Sequence, residues 1–91
     1  MYFPSPLAHI LYYQADGRYT NIMTENVEYR VCRSLKTLQD ELDHSAFFRL
    51  TRSYLINIDK ITKISGNKVF IRDHRIAASD NKIRELCNLL N

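Results

Sequence analysis

Phe47-Phe48-Arg49-Leu50-Thr51-Arg52-Ser53-Tyr54-Leu55-Ile56-Asn57-Ile58 is the stretch on which the reading of this chain turns. Aromatic and β-branched residues at both ends favour strands. Between them stand two arginines three positions apart, with Thr51 and Ser53 flanking the second. Cationic side chains at the mouth of a strand suit an anionic partner better than they suit a core. Arg49, inside the strand pattern, is expected to pair with a carboxylate within the fold. Asn57, set in an apolar run, is expected to be a structural hydrogen-bond hub. Thr51, Arg52 and Ser53 remain as the outward-facing part.

Working outward, strand patterns lie on both sides. Residues 9–14 are rich in β-formers and run into the turn pair Asp16-Gly17. Residues 19–24 and 27–32 read as two further strands. In the latter, Val27, Tyr29 and Val31 alternate with Glu28, Arg30 and Cys32, the period of a sheet with one wet face. The period then changes: Leu35, Leu38 and Leu42 fall at helical spacing, with Ser34 as N-cap. This helix is expected to end near residues 43–45. Strand character resumes at residues 54–58 and 61–64. Gly66-Asn67 marks a tight hairpin. Residues 68–72 and 75–78 form the last pair, turning at Asp73-His74. Ser79 caps a final helix whose apolar positions are Ile83, Leu86, Cys87 and Leu90. The expectation is a mainly β chain of short antiparallel strands with one short central helix and a C-terminal helix.

Ninety-one residues bound the chain to one domain. Its 45% hydrophobic and 25% charged residues are ordinary for a globular protein. No apolar run is long enough to cross a bilayer. The opening residues lack a basic segment and carry Pro4 and Pro6, which excludes a signal peptide pattern. Cys32 and Cys87 are far apart and read as reduced, small hydrophobes of a cytoplasmic protein. The net charge of +3 is unevenly spread. From Arg49 to Arg84 nine cations face three anions, a balance of +6, while the first 48 residues carry −2. A basic second half suits a polyanion; lysines guarding sheet edges account for some of the same charges.

Catalytic chemistry is poorly represented. His9, His44 and His74 are scattered, with no Cys or carboxylate at metal-ligand spacing. Two glycines make no phosphate loop. Asp40, Glu41 and Asp43 lie on the polar side of the leucine-striped helix and read as a solvated face. No enzyme, cofactor or metal site is expected. Binding residues gather in three clusters: Arg18, Tyr19, Thr20 and Asn21 after the first turn; Thr51, Arg52 and Ser53; and Ser79, Asn81 and Lys82 at a helix start. Arginine, hydroxyls and helix N-terminal N–H groups serve phosphate, and Arg or Asn can read base edges. Turn and capping chemistry explains the third cluster equally well.

Three stretches together resemble the LytTR DNA-binding domain of bacterial transcription regulators. Residues 10–19, an aromatic strand entering an acidic-Gly turn and a Tyr, are similar to its first signature. Residues 34–42 resemble its mid-domain helix. Phe48-Arg49-Leu50-Thr51-Arg52-Ser53-Tyr54-Leu55-Ile56-Asn57 is similar to its strongest motif, F-x-R-x-H-R-S-Y-L-V-N. The resemblance implies an elongated domain of antiparallel sheets that places loops, not a recognition helix, in the major groove of double-stranded DNA. It assigns contacts to Arg18, Tyr19, Thr20 and Asn21, to Thr51, Arg52 and Ser53, and to Ser79, Asn81 and Lys82. Arg52 would lead, with Ser53 on phosphate. It further implies a cytoplasmic response-regulator output domain, a receiver or sensor domain upstream, and homodimers on repeated half-sites. Thr51 stands where the family usually has His, and Asp80 where it often has Arg. Residues 1–7 are short for the family's leading strand, so that strand is expected to be truncated or absent. Two rival classes use the same residues. A single-strand or RNA binder would stack bases on Tyr13 or Tyr19, and a dimerisation module would show salt-insensitive self-association.

Overall fold

The β-rich residues before the first turn pair on both sides, and this places them at the centre of the larger sheet. The computed structural model describes residues 9–42 and 46–90. Strands β1 (Ile10–Asp16), β2 (Tyr19–Thr24), β3 (Glu28–Val31), β4 (Phe47–Arg49) and β5 (Tyr54–Asn57) form an antiparallel sheet in the order β3-β2-β1-β5-β4. Strands β6 (Lys63–Ser65), β7 (Lys68–Ile71) and β8 (His74–Ala77) form a second, three-stranded sheet in sequence order. Helix α1 (Leu35–Asp40) connects the β3 edge to the β4 edge, and α2 (Asp80–Leu90) closes the described chain. The long axis measures 35 Å against 23 and 22 Å.

Each face of the larger sheet has its own apolar layer. On one face Ile10, Tyr13, Ile22, Val31, Phe47 and Leu55 pack against Leu35 and Leu38 of α1. On the other, Leu11, Tyr12, Phe48, Leu50 and Ile56 meet Val69, Ile71 and Ile76 of the smaller sheet and Leu86 of α2. Burying each such side chain fully contributes about 1.5–3 kcal/mol. β1 serves both layers because it is the central strand, and its register shifts between Ile10 and Tyr12. Leu11 is the extra residue, so Leu11 and Tyr12 turn to one face while Ile10 and Tyr13 turn to the other. Tyr12 also ties the two sheets: its hydroxyl lies 3.1 Å from His74 Nδ1, and the two rings meet edge to face.

Several boundaries differ from the sequence reading. Ile58, read as the end of a strand, instead opens a 3-10 turn over Ile58–Lys60, because the Asn57 side chain accepts from the Asp59 N–H and stops the ladder. The last hairpin turns at Arg72-Asp73, one residue early, and Arg72 takes φ 55°. His74 thereby becomes the first residue of β8. α1 ends at Asp40, short of the end expected near 43–45: Glu41 is its C-cap, and the N–H groups of Glu41 and Leu42 donate three residues back, to Leu38 and Gln39, closing the last turn. The expectation for the leading strand falls outside the described residues. Ser34 caps α1 as expected, its Oγ accepting from the Thr37 N–H at 3.1 Å. Cys32 is an exposed free thiol and Cys87 is half-buried, so Cys32 does not behave as a small core residue. Leu90, expected on the apolar side of α2, is 46% exposed.

Candidate nucleic-acid interface

Arg49 builds the loop that follows it. Its guanidinium is half-buried and donates from Nε to the Thr51 carbonyl at 2.8 Å and from an Nη to the Arg52 carbonyl at 2.6 Å. The other Nη donates to Gln39 Oε1 at 2.6 Å. The expected carboxylate is replaced by two backbone carbonyls and a side-chain amide from α1. The Thr51 hydroxyl oxygen accepts from the N–H groups of Ser53 and Tyr54, both at 3.1 Å, which closes the turn. Leu50 is fully buried beneath it. Arg52 and Ser53 project from this turn and are exposed.

The second and third clusters come together in space. Arg49, Leu50, Thr51, Arg52, Ser79 and Lys82 line an open concavity of about 380 Å³. Ser79 Oγ accepts from the Lys82 N–H at 3.3 Å, the capping interaction expected for α2. The Lys82 ammonium lies 5.6 Å from the Phe48 ring centroid and 3.4 Å from Glu85 Oε2. Asn81 is exposed in the first turn of α2, not in a loop, and does not line the concavity. Asp80 begins the same turn, where a carboxylate complements the helix dipole.

The first cluster lies at the same end of the larger sheet. The Ala15 N–H donates to the Ser53 carbonyl at 2.7 Å, which fastens the end of β1 to the Thr51–Ser53 turn. Gly17, at φ +62°, reverses the chain immediately beyond and presents Arg18. Tyr19 is 41% exposed, with the Arg30 guanidinium 4.7 Å from its ring centroid; Arg30 in turn bonds Asp16 at 2.6 Å. Thr20 is not available as a contact: it is fully buried, and its hydroxyl donates to the Arg33 carbonyl at 2.7 Å. Asn21 is half-buried in β2, opposite Arg30. Tyr13, named as a possible base-stacking ring, is 1% exposed and packs on Phe47 at 5.6 Å between centroids. Burial pushes its phenol up to about 12.

Asn57 is the hub expected of it, donating to the Ile10 carbonyl at 2.8 Å while its Oδ1 holds Asp59. Gln39 escaped the sequence reading. Nothing in a polar residue of a surface helix marks it as the partner of an arginine ten positions later. Among the described residues no group of three His, Cys, Asp or Glu side chains is arranged to hold a metal ion. No described helix is long and apolar enough to cross a membrane.

The sheet order and this cluster of loops define a class. The family model for the LytTr DNA-binding domain matches residues 2–91, and the chain belongs to that family. It is thus a DNA-binding domain, of a family of binding modules rather than enzymes. A solved structure described as the LytTr DNA-binding domain of a putative methyl-accepting/DNA response regulator from Bacillus cereus is similar over 98% of this chain and 87% of its own, with a TM-score of 0.82. Sequence identity to it is 21%, so the likeness speaks for the fold alone. No curated protein matches the chain.

Proposed function

We propose that this chain reads specific sequences of double-stranded DNA as the output domain of a cytoplasmic transcription regulator. Its contacts are exposed loop side chains in the major groove and cations on the flanking phosphates. The concavity carries this reading: it sets Arg52 beside Ser79 and Lys82, residues from opposite ends of the smaller sheet's segment. Arg52 makes no ion pair with a described residue, and its loop is held by Arg49 rather than by its own side chain. A rigid loop with a free guanidinium can donate to a guanine edge in bidentate geometry. Arg18 and Tyr19 extend the surface on one side; Ser53 supplies a hydroxyl for phosphate. Thr51 has its oxygen engaged in the turn, so only its O–H is left to donate. Asn81 reaches outward from the helix start. Thr20 serves the scaffold.

A receiver or sensor domain elsewhere in the regulator and pairing of two copies on repeated half-sites complete the proposal; linked half-site binding raises avidity without new contacts. The experiment is selection of duplex sites from a randomised library, followed by gel shifts of wild type and Arg52→Ala on the winners. Loss of one bidentate base contact costs about 1–3 kcal/mol, roughly a five- to 150-fold weakening. Equal binding of the selected site by both proteins would remove Arg52 from the reading. Preference for single-stranded oligonucleotides over the duplex would replace it with the rival class.

A further inference from the structure

Ion pairing divides the cations of this chain. Arg30, Arg33, Lys36, Lys60, Arg72 and Lys82 each meet a carboxylate. Lys63, Lys68 and Arg75 form no ion pair with a described residue, and pairing register gathers them on one surface. Lys63 lies opposite Phe70, and Phe70 opposite Arg75, one row across β6, β7 and β8. The neighbouring row is Ser65, Lys68 and Ala77. Val69, Ile71 and Ile76 point the other way, into the core. The three strands carry no acidic residue. The Lys63 ammonium sits 4.8 Å from the Phe70 ring centroid, which covers the one aromatic on this face.

We propose that this outer sheet face is a second phosphate-binding surface, taking the backbone of duplex DNA that flanks the site held by the loops. The proposal rests on the duplex reading above. Two observations carry it beyond bare charge. First, the face runs into the concavity: Lys68 pairs with Ala77, the Ala78 N–H donates to the Asn67 carbonyl at 2.8 Å, and Ser79 follows in the concavity wall. Second, the face offers charge without readout. Its ring is capped by an ammonium, so it gives no platform for a base. Phosphate contacts need none. Guarding of sheet edges accounts for cations on β6 and β8 but not for Lys68, which lies on the central strand.

The test uses a duplex selected by the wild-type protein, prepared at its minimal length and with about one extra helical turn of arbitrary sequence on each side. Binding is read at one protein per duplex across a salt series. Wild type should hold the longer duplex about tenfold or more tightly, with a salt slope steeper by up to ~2.7 for three added phosphate contacts. The variant Lys63→Gln/Lys68→Gln/Arg75→Gln should bind both duplexes equally, at the wild type's affinity for the short one. Lys68→Gln alone should lose about one third of the added slope, and it guards against a misfolded triple variant. A triple variant that keeps the advantage of the long duplex overturns the proposal, as does a wild type that shows none. Absence of any duplex binding by wild type would overturn the underlying reading instead, and this one with it.

Discussion

Arg49 illustrates how much a single side chain can organise at the residue scale. Its bonds join α1 to the backbone of the Thr51–Arg52 turn. A half-buried guanidinium donating to neutral acceptors is worth more per bond than a neutral pair, and removing it leaves two carbonyls to find water. Arg49→Ala should therefore lower unfolding free energy by about 2–3 kcal/mol, measured by urea denaturation. A loss below that of an ordinary surface substitution would show that the loop keeps its shape unaided. Glu25 makes a different prediction. The hydrogen bond from Lys60, with further help from Arg72, holds its carboxyl below the usual 4.5, against a smaller opposing effect of burial. Stability from a depressed carboxyl is present above the unfolded value and lost as pH falls through the folded one. Urea midpoints at pH 7 and at about pH 3 should fall further for wild type than for Glu25→Gln. Parallel acid losses would show that the triad contributes nothing to stability.

At the scale of elements, periodicity was legible wherever one face is wet. The alternation of residues 27–32 and the leucine spacing of 35–42 sit where β3 and α1 are found. Four consecutive apolar residues, Ile10 to Tyr13, conceal the bulge, because both faces of β1 are buried and no alternation is left to read. Ile58 and Ile61 mimic strand, yet the Asn57 side chain ends the ladder just before the first of them, which opens a 3-10 turn that the second flanks. Within the candidate site, the polar clusters could be read as clusters. That Thr51 and Arg52 face Ser79 and Lys82 could not, since it depends on how the smaller sheet docks. The row Lys63, Phe70 and Arg75 was hidden for a related reason: hairpin register, not sequence spacing, aligns it. The turns themselves are testable. Gly17 and Gly66 both sit at φ +62° with open space where a Cβ would stand. Alanine at either position meets only the backbone cost of the left-handed region, about 1–2 kcal/mol. The two losses should add in the double variant, as the turns lie on different sheets. Unchanged denaturation midpoints would mean that the turns relax into another type.

For the molecule as a whole, two apolar layers share one central sheet, and Tyr13 stands in the α1-side layer. Its phenol is raised to about 12 from 10.0 by burial alone. A raised folded value leaves stability intact below pH 10; the loss grows as pH rises from there through about 12, because only the unfolded chain ionises early. Tyr13→Phe should reduce that alkaline loss, measured as urea midpoints at pH 9 and at about pH 11. Tyr12, also raised by burial and by the neighbouring Tyr54 and Glu28, should leave a remainder of the effect in place. Identical alkaline curves for wild type and variant would place the limiting ionisation elsewhere. The charge pattern belongs to this scale too. Cations near the Glu25 end are neutralised, whereas Arg52, Lys63, Lys68 and Arg75 make no ion pair with a described residue.

The grip of Arg49 on the carbonyls of Thr51 and Arg52 has one more consequence. Every amino acid brings a carbonyl, so the fixture holding this loop is indifferent to the side chain at position 52. That position can be exchanged while the backbone stays where it is. On the duplex reading proposed above, a lineage carrying this domain would move to a new operator by single replacements at the tip, without first rebuilding the frame that presents it.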